Sequence, residues 1–212
     1  MRRYLLIGTA AALLAIPALA AGRATTTITV SPNNTNRFGP GSVTTNVGAG
    51  AIHWAWGADP HGNNFAPHNV QQDNNLFSSG APVKSKPAGY TITPSAGSFH
   101  YYCTLHGNPG TNLGMVGTIH IRPTIFNKTA SSFGVEWSPG TNQTGNAFDV
   151  RYRVDGGAWK PWKNHVAAAS AIFGAGNQHV APGHTYEFQA RSERRIAVSK
   201  ASGWSPSAKV TT

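Results

Sequence analysis

The chain carries a single cysteine, Cys103, in the run Cys103-Thr104-Leu105-His106. Met115 follows in Leu113-Gly114-Met115-Val116-Gly117, and His68 stands upstream in Pro67-His68-Asn69-Val70. One thiolate, two imidazoles and a thioether make a donor set suited to a mononuclear copper ion that changes oxidation state. Soft sulfur favours Cu(I), imidazole also accepts Cu(II), and a compromise geometry lets the metal cycle with little rearrangement. Zinc fits less well, because its sites draw on Cys, His and carboxylate, and a thioether is a poor ligand for it. The plain alternatives are an inert buried thiol at Cys103 and ordinary core filling at Met115.

Side-chain alternation sorts the remaining histidines. In an extended strand Phe99, Tyr101 and Cys103 share one face and His100 and Tyr102 the other, so His100 points away from the thiol. His53, between Ile52 and Trp54, and His120, between Ile119 and Ile121, alternate with apolar neighbours and should face outward. His61, in Asp59-Pro60-His61-Gly62, is a loop residue that could at most play an accessory part. The spacing predicts that Cys103 ends a strand and that a turn after it returns His106 to the same point.

The elements that must position these residues read as strands. Residues 25–121 hold the runs Thr25–Val30, Ser42–Val47, Ala51–Trp56, Gly89–Thr93, Ser98–Cys103 and Met115–Ile121, separated by turn-rich stretches such as Asn108-Pro109-Gly110. Residues 124–212 repeat the style at Phe133–Trp137, Phe148–Val154, Ala169–Phe173 and Thr185–Arg191, and the alanines at 167–171 lack the cap and charged face of a helix. With 24 Gly, 14 Pro, 40% apolar and only 11% charged residues, neither global disorder nor a long coiled coil fits. The expected fold is all-β: two β-sandwiches in tandem, dividing near Arg122-Pro123 into residues 21–122 and 123–212.

At the donor residues the sequence resembles the plastocyanin-like cupredoxins. Tyr102-Cys103-Thr104-Leu105-His106, followed by Gly114-Met115-Val116-Gly117-Thr118-Ile119, reads like that family's ligand loop and last strand, and Pro67-His68-Asn69-Val70 like its upstream ligand motif. The resemblance covers about residues 25–121 and implies a Greek-key sandwich with His68, Cys103, His106 and Met115 as type 1 copper ligands. It implies that Asn69 pins the two ligand segments together behind the metal. His106 and Met115 are nine positions apart, about four more than is usual in that family.

The second half resembles a fibronectin type III domain, an immunoglobulin-like sandwich. Val180-Ala181-Pro182-Gly183-His184-Thr185-Tyr186 reads like the corner before strand F, with Tyr186 as the corner tyrosine. Trp137 and Tyr152 match core positions of strands B and C, and Ser202-Gly203-Trp204-Ser205-Pro206 the last strand. Residues 124–212 carry a net +5, and Arg191, Arg194, Arg195 and Lys200 cluster near the last hairpin. They read first as a solvated basic edge that blocks strand-edge pairing, and second as a surface for an anionic or protein partner. No Arg-Gly-Asp occurs, so integrin-type adhesion has no support.

Residues 1–20 read as a secretory signal: Met1-Arg2-Arg3, an apolar stretch from Tyr4, and Ala18-Leu19-Ala20 as the cleavage site. The chain is then exported, to a periplasmic, cell-surface or extracellular location, without a transmembrane segment after signal removal. The whole chain carries +10, and +8 once Arg2 and Arg3 leave. Nucleic acid is not an expected partner, since Gly, Thr, Ser and Asn dilute the charge and no recognition-helix or zinc-finger pattern occurs. Two function classes stand: a one-electron carrier that docks a redox partner near His106, or a copper-binding module for sequestration, delivery or surface attachment. Enzyme activity is not expected, because no His-x-His cluster for a catalytic copper is present.

Overall fold

Period-2 alternation is clearest in Gly97–Cys103, where Gly97, Phe99, Tyr101 and Cys103 are buried and Ser98, His100 and Tyr102 are not. That strand crosses the core of the first of two sandwiches. The computed structural model describes residues 24–57, 66–140, 144–176, 178–194 and 197–212; the proposed signal segment, His61 and Arg195 lie outside them. Among the described residues the fold is all-β, with sixteen strands and one short 3₁₀ turn.

The first eight strands are β1 (Thr26–Val30), β2 (Phe38–Gly39), β3 (Ser42–Asn46), β4 (Ile52–Trp56), β5 (Gln71–Gln72), β6 (Tyr90–Ile92), β7 (Gly97–Gly107) and β8 (Gly114–Arg122). They form two sheets, β2-β1-β4-β6 and β3-β8-β7-β5, in which β1 runs parallel to β4 and β3 parallel to β8. Aromatic rings lock the sheets together: Tyr101 of β7 meets Phe38 at 4.8 Å and Trp54 at 5.3 Å between centroids. Edge-on contacts of this kind add about 0.5–1.5 kcal/mol each to the burial itself.

The remaining strands are β9 (Thr124–Phe126), β10 (Phe133–Glu136), β11 (Ala147–Val154), β12 (Lys160–Val166), β13 (Ser170–Phe173), β14 (Thr185–Arg194), β15 (Ala197–Ala201) and β16 (Ala208–Thr211). One sheet is β13-β10-β9; the other is β12-β11-β14-β15, with β16 also paired to β14. Phe133, Phe173 and Phe188 fill the space between them. Tyr186 is the second residue of β14, and its hydroxyl reaches back to accept the Ala181 N–H at 2.8 Å.

Two expectations for this half need correction. Arg191 is not a free basic edge: it pairs with Asp149 at 2.7 Å and Glu193 at 3.3 Å, and its guanidinium lies over Trp204. Trp204 itself is not in a strand but in the connection from β15 to β16. There it takes Arg151 on its ring at 4.1 Å, and Arg151 also stacks on Trp159 at 4.8 Å. Guanidinium groups stack on indole because the ring face is electron-rich and the flat cation is weakly hydrated.

The two sandwiches are closely joined. Only Pro123 separates β8 from β9. Ser98 and Gly203 exchange both backbone hydrogen bonds at 2.9 Å, and the Ala96 N–H donates to the Trp137 carbonyl at 2.7 Å. The buried hydroxyl of Ser192 donates to the Ala96 carbonyl at 3.0 Å, and that of Ser95 to Ser138 at 2.9 Å. Buried polar groups persist where each finds a partner, and these do.

Candidate metal centre

Three donors converge at one end of the first sandwich. The Cys103 Sγ lies 3.5 Å from the Nδ1 of His106 and 3.8 Å from the Nδ1 of His68. All three donor atoms fall within 4.8 Å of one another, and the imidazole centroids are 4.8 Å apart. Ligands held about 2.0–2.3 Å from a common ion stand about 3–4 Å apart, so the pocket is already close to coordinating geometry. The thiol is fully buried, His68 is 1% exposed, and His106 reaches partway to solvent.

The local backbone explains how Cys103 and His106 meet. The expectation was a strand ending at Cys103 and then a turn. Instead β7 continues to Gly107 with a break in register. Tyr102 pairs with Val116, and the next pair is Gly107 with Gly114. Four residues, Cys103–His106, therefore stand opposite one, Met115. Such a bulge re-aims side chains, and here it turns both ligands to the same side. Met115, fully buried, lies opposite the bulge.

The closing Gly107–Gly114 pair admits no side chain. A Cβ on Gly107 would stand 2.4 Å from the Met115 carbonyl oxygen; one on Gly114, whose φ is +81°, would stand 2.1 Å from that of His106. Glycine meets both demands without steric cost.

His68 enters from a separate segment, paired through its own N–H and carbonyl with Val83 at 2.9 Å each. Asn69 joins that segment to the bulge. Its Oδ1 accepts the Thr104 N–H at 2.8 Å and the Thr104 hydroxyl at 3.1 Å, while its Nδ2 donates to the Gly80 carbonyl at 2.9 Å. Burial, reinforced by the nearby His106, pushes the His68 imidazole down to a pKa of about 4. A neutral imidazole is the form that binds a metal.

Among the described residues the other histidines stay apart from this cluster. His53 Nδ1 lies 2.8 Å from the Thr91 hydroxyl, His120 Nδ1 lies 2.9 Å from the Ser98 hydroxyl, and His100 pairs with Asp73. His120 is only partly exposed, because it backs onto the junction of the two sandwiches through Ser98. Asp73 belongs to none of the sequence motifs above. Its carboxylate reaches across to Gly110 in the His106–Met115 loop, and nothing in the spacing of the two residues marks that contact.

No protein-family model matches the chain, and no curated protein matches it. Among solved structures the chain is similar to a fibronectin type III domain of human collagen XX, at 19% identity over 43% of this chain and 90% of that one, with a TM-score of 0.33. It is also similar to a two-domain fibronectin type III segment of chicken tenascin, at 13% identity over 69% of this chain and 83% of that one, again with a TM-score of 0.33. Neither likeness bears on the metal centre.

Proposed function

We propose that residues 21–122 form a type 1 copper domain, that residues 123–212 form a fibronectin type III-like domain, and that the exported chain carries single electrons without transforming a substrate. One observation supports this above all: a buried thiol with two imidazole Nδ1 atoms at 3.5 and 3.8 Å. Copper bound there would supply a Cu(I)/Cu(II) couple. Cys103, His68 and His106 would hold it, with Met115 as the weak fourth donor from across the bulge. Asn69 would keep the two ligand segments in register. A Met-completed site leaves no open position for a substrate, which favours a carrier over an oxidase.

The surface at this end suits close approach by a partner. Leu105 and Leu113, on the same bulge and loop as the partly exposed His106, are 57% and 66% exposed. Two apolar side chains there let a redox protein approach the ligand without stripping water from a charge. Among the described residues no helix is long and apolar enough to cross a membrane.

The deciding measurement is a visible spectrum during Cu(II) titration. The loaded chain should turn intensely blue through Cys103 thiolate-to-copper charge transfer, and Cys103→Ser should stay colourless. A chain that takes zinc, refuses copper and never colours would overturn the reading.

A further inference from the structure

The His106–Met115 loop is long, and Asn108, Pro109 and Gly110 within it are exposed. A flexible loop of this length costs ordering entropy and leaves its end ligand loosely placed unless something ties it down. The tie is Asp73. Its Oδ2 accepts the Gly110 N–H at 3.0 Å, and the same atom lies 2.8 Å from the Nδ1 of His100, three residues before Cys103 on β7. One carboxylate thus binds the ligand loop to the ligand strand, through hydrogen bonds of the stronger, charge-assisted kind.

The turn that presents Asp73 is itself fixed. The buried Gln72 side chain accepts the N–H groups of Asn74 at 2.8 Å and Leu76 at 3.0 Å. Its far side is gripped by the second sandwich: Asn74 Nδ2 donates to the Ala201 carbonyl at 2.7 Å, and the Arg194 guanidinium donates to the Asn75 carbonyl. Three consecutive residues, Asp73, Asn74 and Asn75, therefore connect β14 and β15 of one sandwich to the metal-ligand loop of the other.

We propose that this turn couples the two sandwiches, with Asp73 as the positioning residue, so that the C-terminal sandwich regulates the metal centre through the placement of the His106–Met115 loop. A contiguous chain of hydrogen bonds can carry coupling of this kind, and here one runs from β14 and β15 through the turn to Gly110. The regulatory part rests on the copper reading above; the tether itself does not.

The test uses the full chain as wild type, Asp73→Ala, Asp73→Asn and the pair Asn74→Ala with Arg194→Ala. Backbone amide exchange at Gly110 is followed in the metal-free protein, and charge-transfer energy and reduction potential in the copper-loaded one. Asp73→Ala should quicken Gly110 exchange about tenfold, the scale set by losing a hydrogen bond to a charged acceptor, and should move both copper readouts. Asp73→Asn, which keeps one acceptor oxygen and the side-chain volume, should move them less and serves if the alanine variant does not fold. The Asn74/Arg194 pair should shift all three in the same direction. Unchanged exchange and potential in a folded Asp73 variant would overturn the tether, and an inert Asn74/Arg194 pair would overturn the coupling. A wild-type chain that never turns blue would remove the copper reading, while the exchange measurement would still decide the tether.

Discussion

Asn69 ties the segment of His68 to the bulge that carries Cys103 and His106: its Oδ1 accepts twice from Thr104 while its Nδ2 is anchored on the Gly80 carbonyl. The imidazole of His68 is the titrating group with a clear consequence for the fold. Its pKa falls from 6.5 to about 4 on folding, chiefly through burial. Between those values the unfolded chain binds the extra proton, so stability rises with pH there and is lost as pH falls from about 6.5 towards 4. Urea unfolding of the metal-free chain at pH 7.5 and 4.5 should differ by roughly 1–3 kcal/mol on this account, and His68→Asn should remove most of the difference. Glu187 acts in a lower window, because its hydrogen bond from Arg153 holds it below the usual carboxylate range. At this scale the grouping of His68, Cys103 and His106 was legible in the sequence through their two short motifs. Asp73 was not legible: a side-chain acceptor that reaches a backbone N–H 37 residues away leaves no periodicity.

Among the elements, the bulge in β7 does the most to shape the site. Gly114→Ala tests it, because the substitution combines an unfavourable φ with a 2.1 Å approach to the His106 carbonyl. The expected loss is about 1–3 kcal/mol of stability from the backbone alone, together with weaker copper binding if the site holds copper as proposed, while Gly110→Ala, with φ +69° but nothing near its Cβ, should lose less. Urea midpoints and copper titrations of the two variants separate backbone strain from the crowding peculiar to the bulge. Strand existence was readable in β7 and β8, where one face is buried over a long run, but not in β16, whose alternation spans only four residues. The bulge was not, because pairing four residues against one depends on the partner strand. Strand β12 was missed for a different reason: none of its residues is fully buried, so no alternation marks it. Trp159 likewise carries no strand signal, and Trp204, expected in the last strand, joins none: their rings are spent on arginines, Trp159 on Arg151 and Arg153 and Trp204 on Arg151 and Arg191.

As a whole molecule the chain was legible as two sandwiches but not as two sandwiches fused. Ser95, Ser138, Ser192 and Ser202 are buried where the halves meet, and small polar side chains do not announce burial by any local pattern. Their burial follows from long-range pairing such as Ser98 with Gly203, which a local pattern cannot carry. The junction at Pro123 has a further consequence. Tandem domains are ordinarily parted by proteases, which need several residues of unpaired, extended chain to bind. Here the Arg122 carbonyl is taken by the Val47 N–H at 2.8 Å, and the Thr124 hydroxyl donates to the Val47 carbonyl at 2.8 Å. Limited digestion with a low-specificity protease should therefore trim the chain elsewhere before it releases either half. Early separation of two stable fragments at residues 122–124 would mean the junction opens freely. A cut-resistant junction makes the pair a single cargo: wherever one sandwich is retained, anchored or cleared, the Cys103–His68–His106 cluster goes with it.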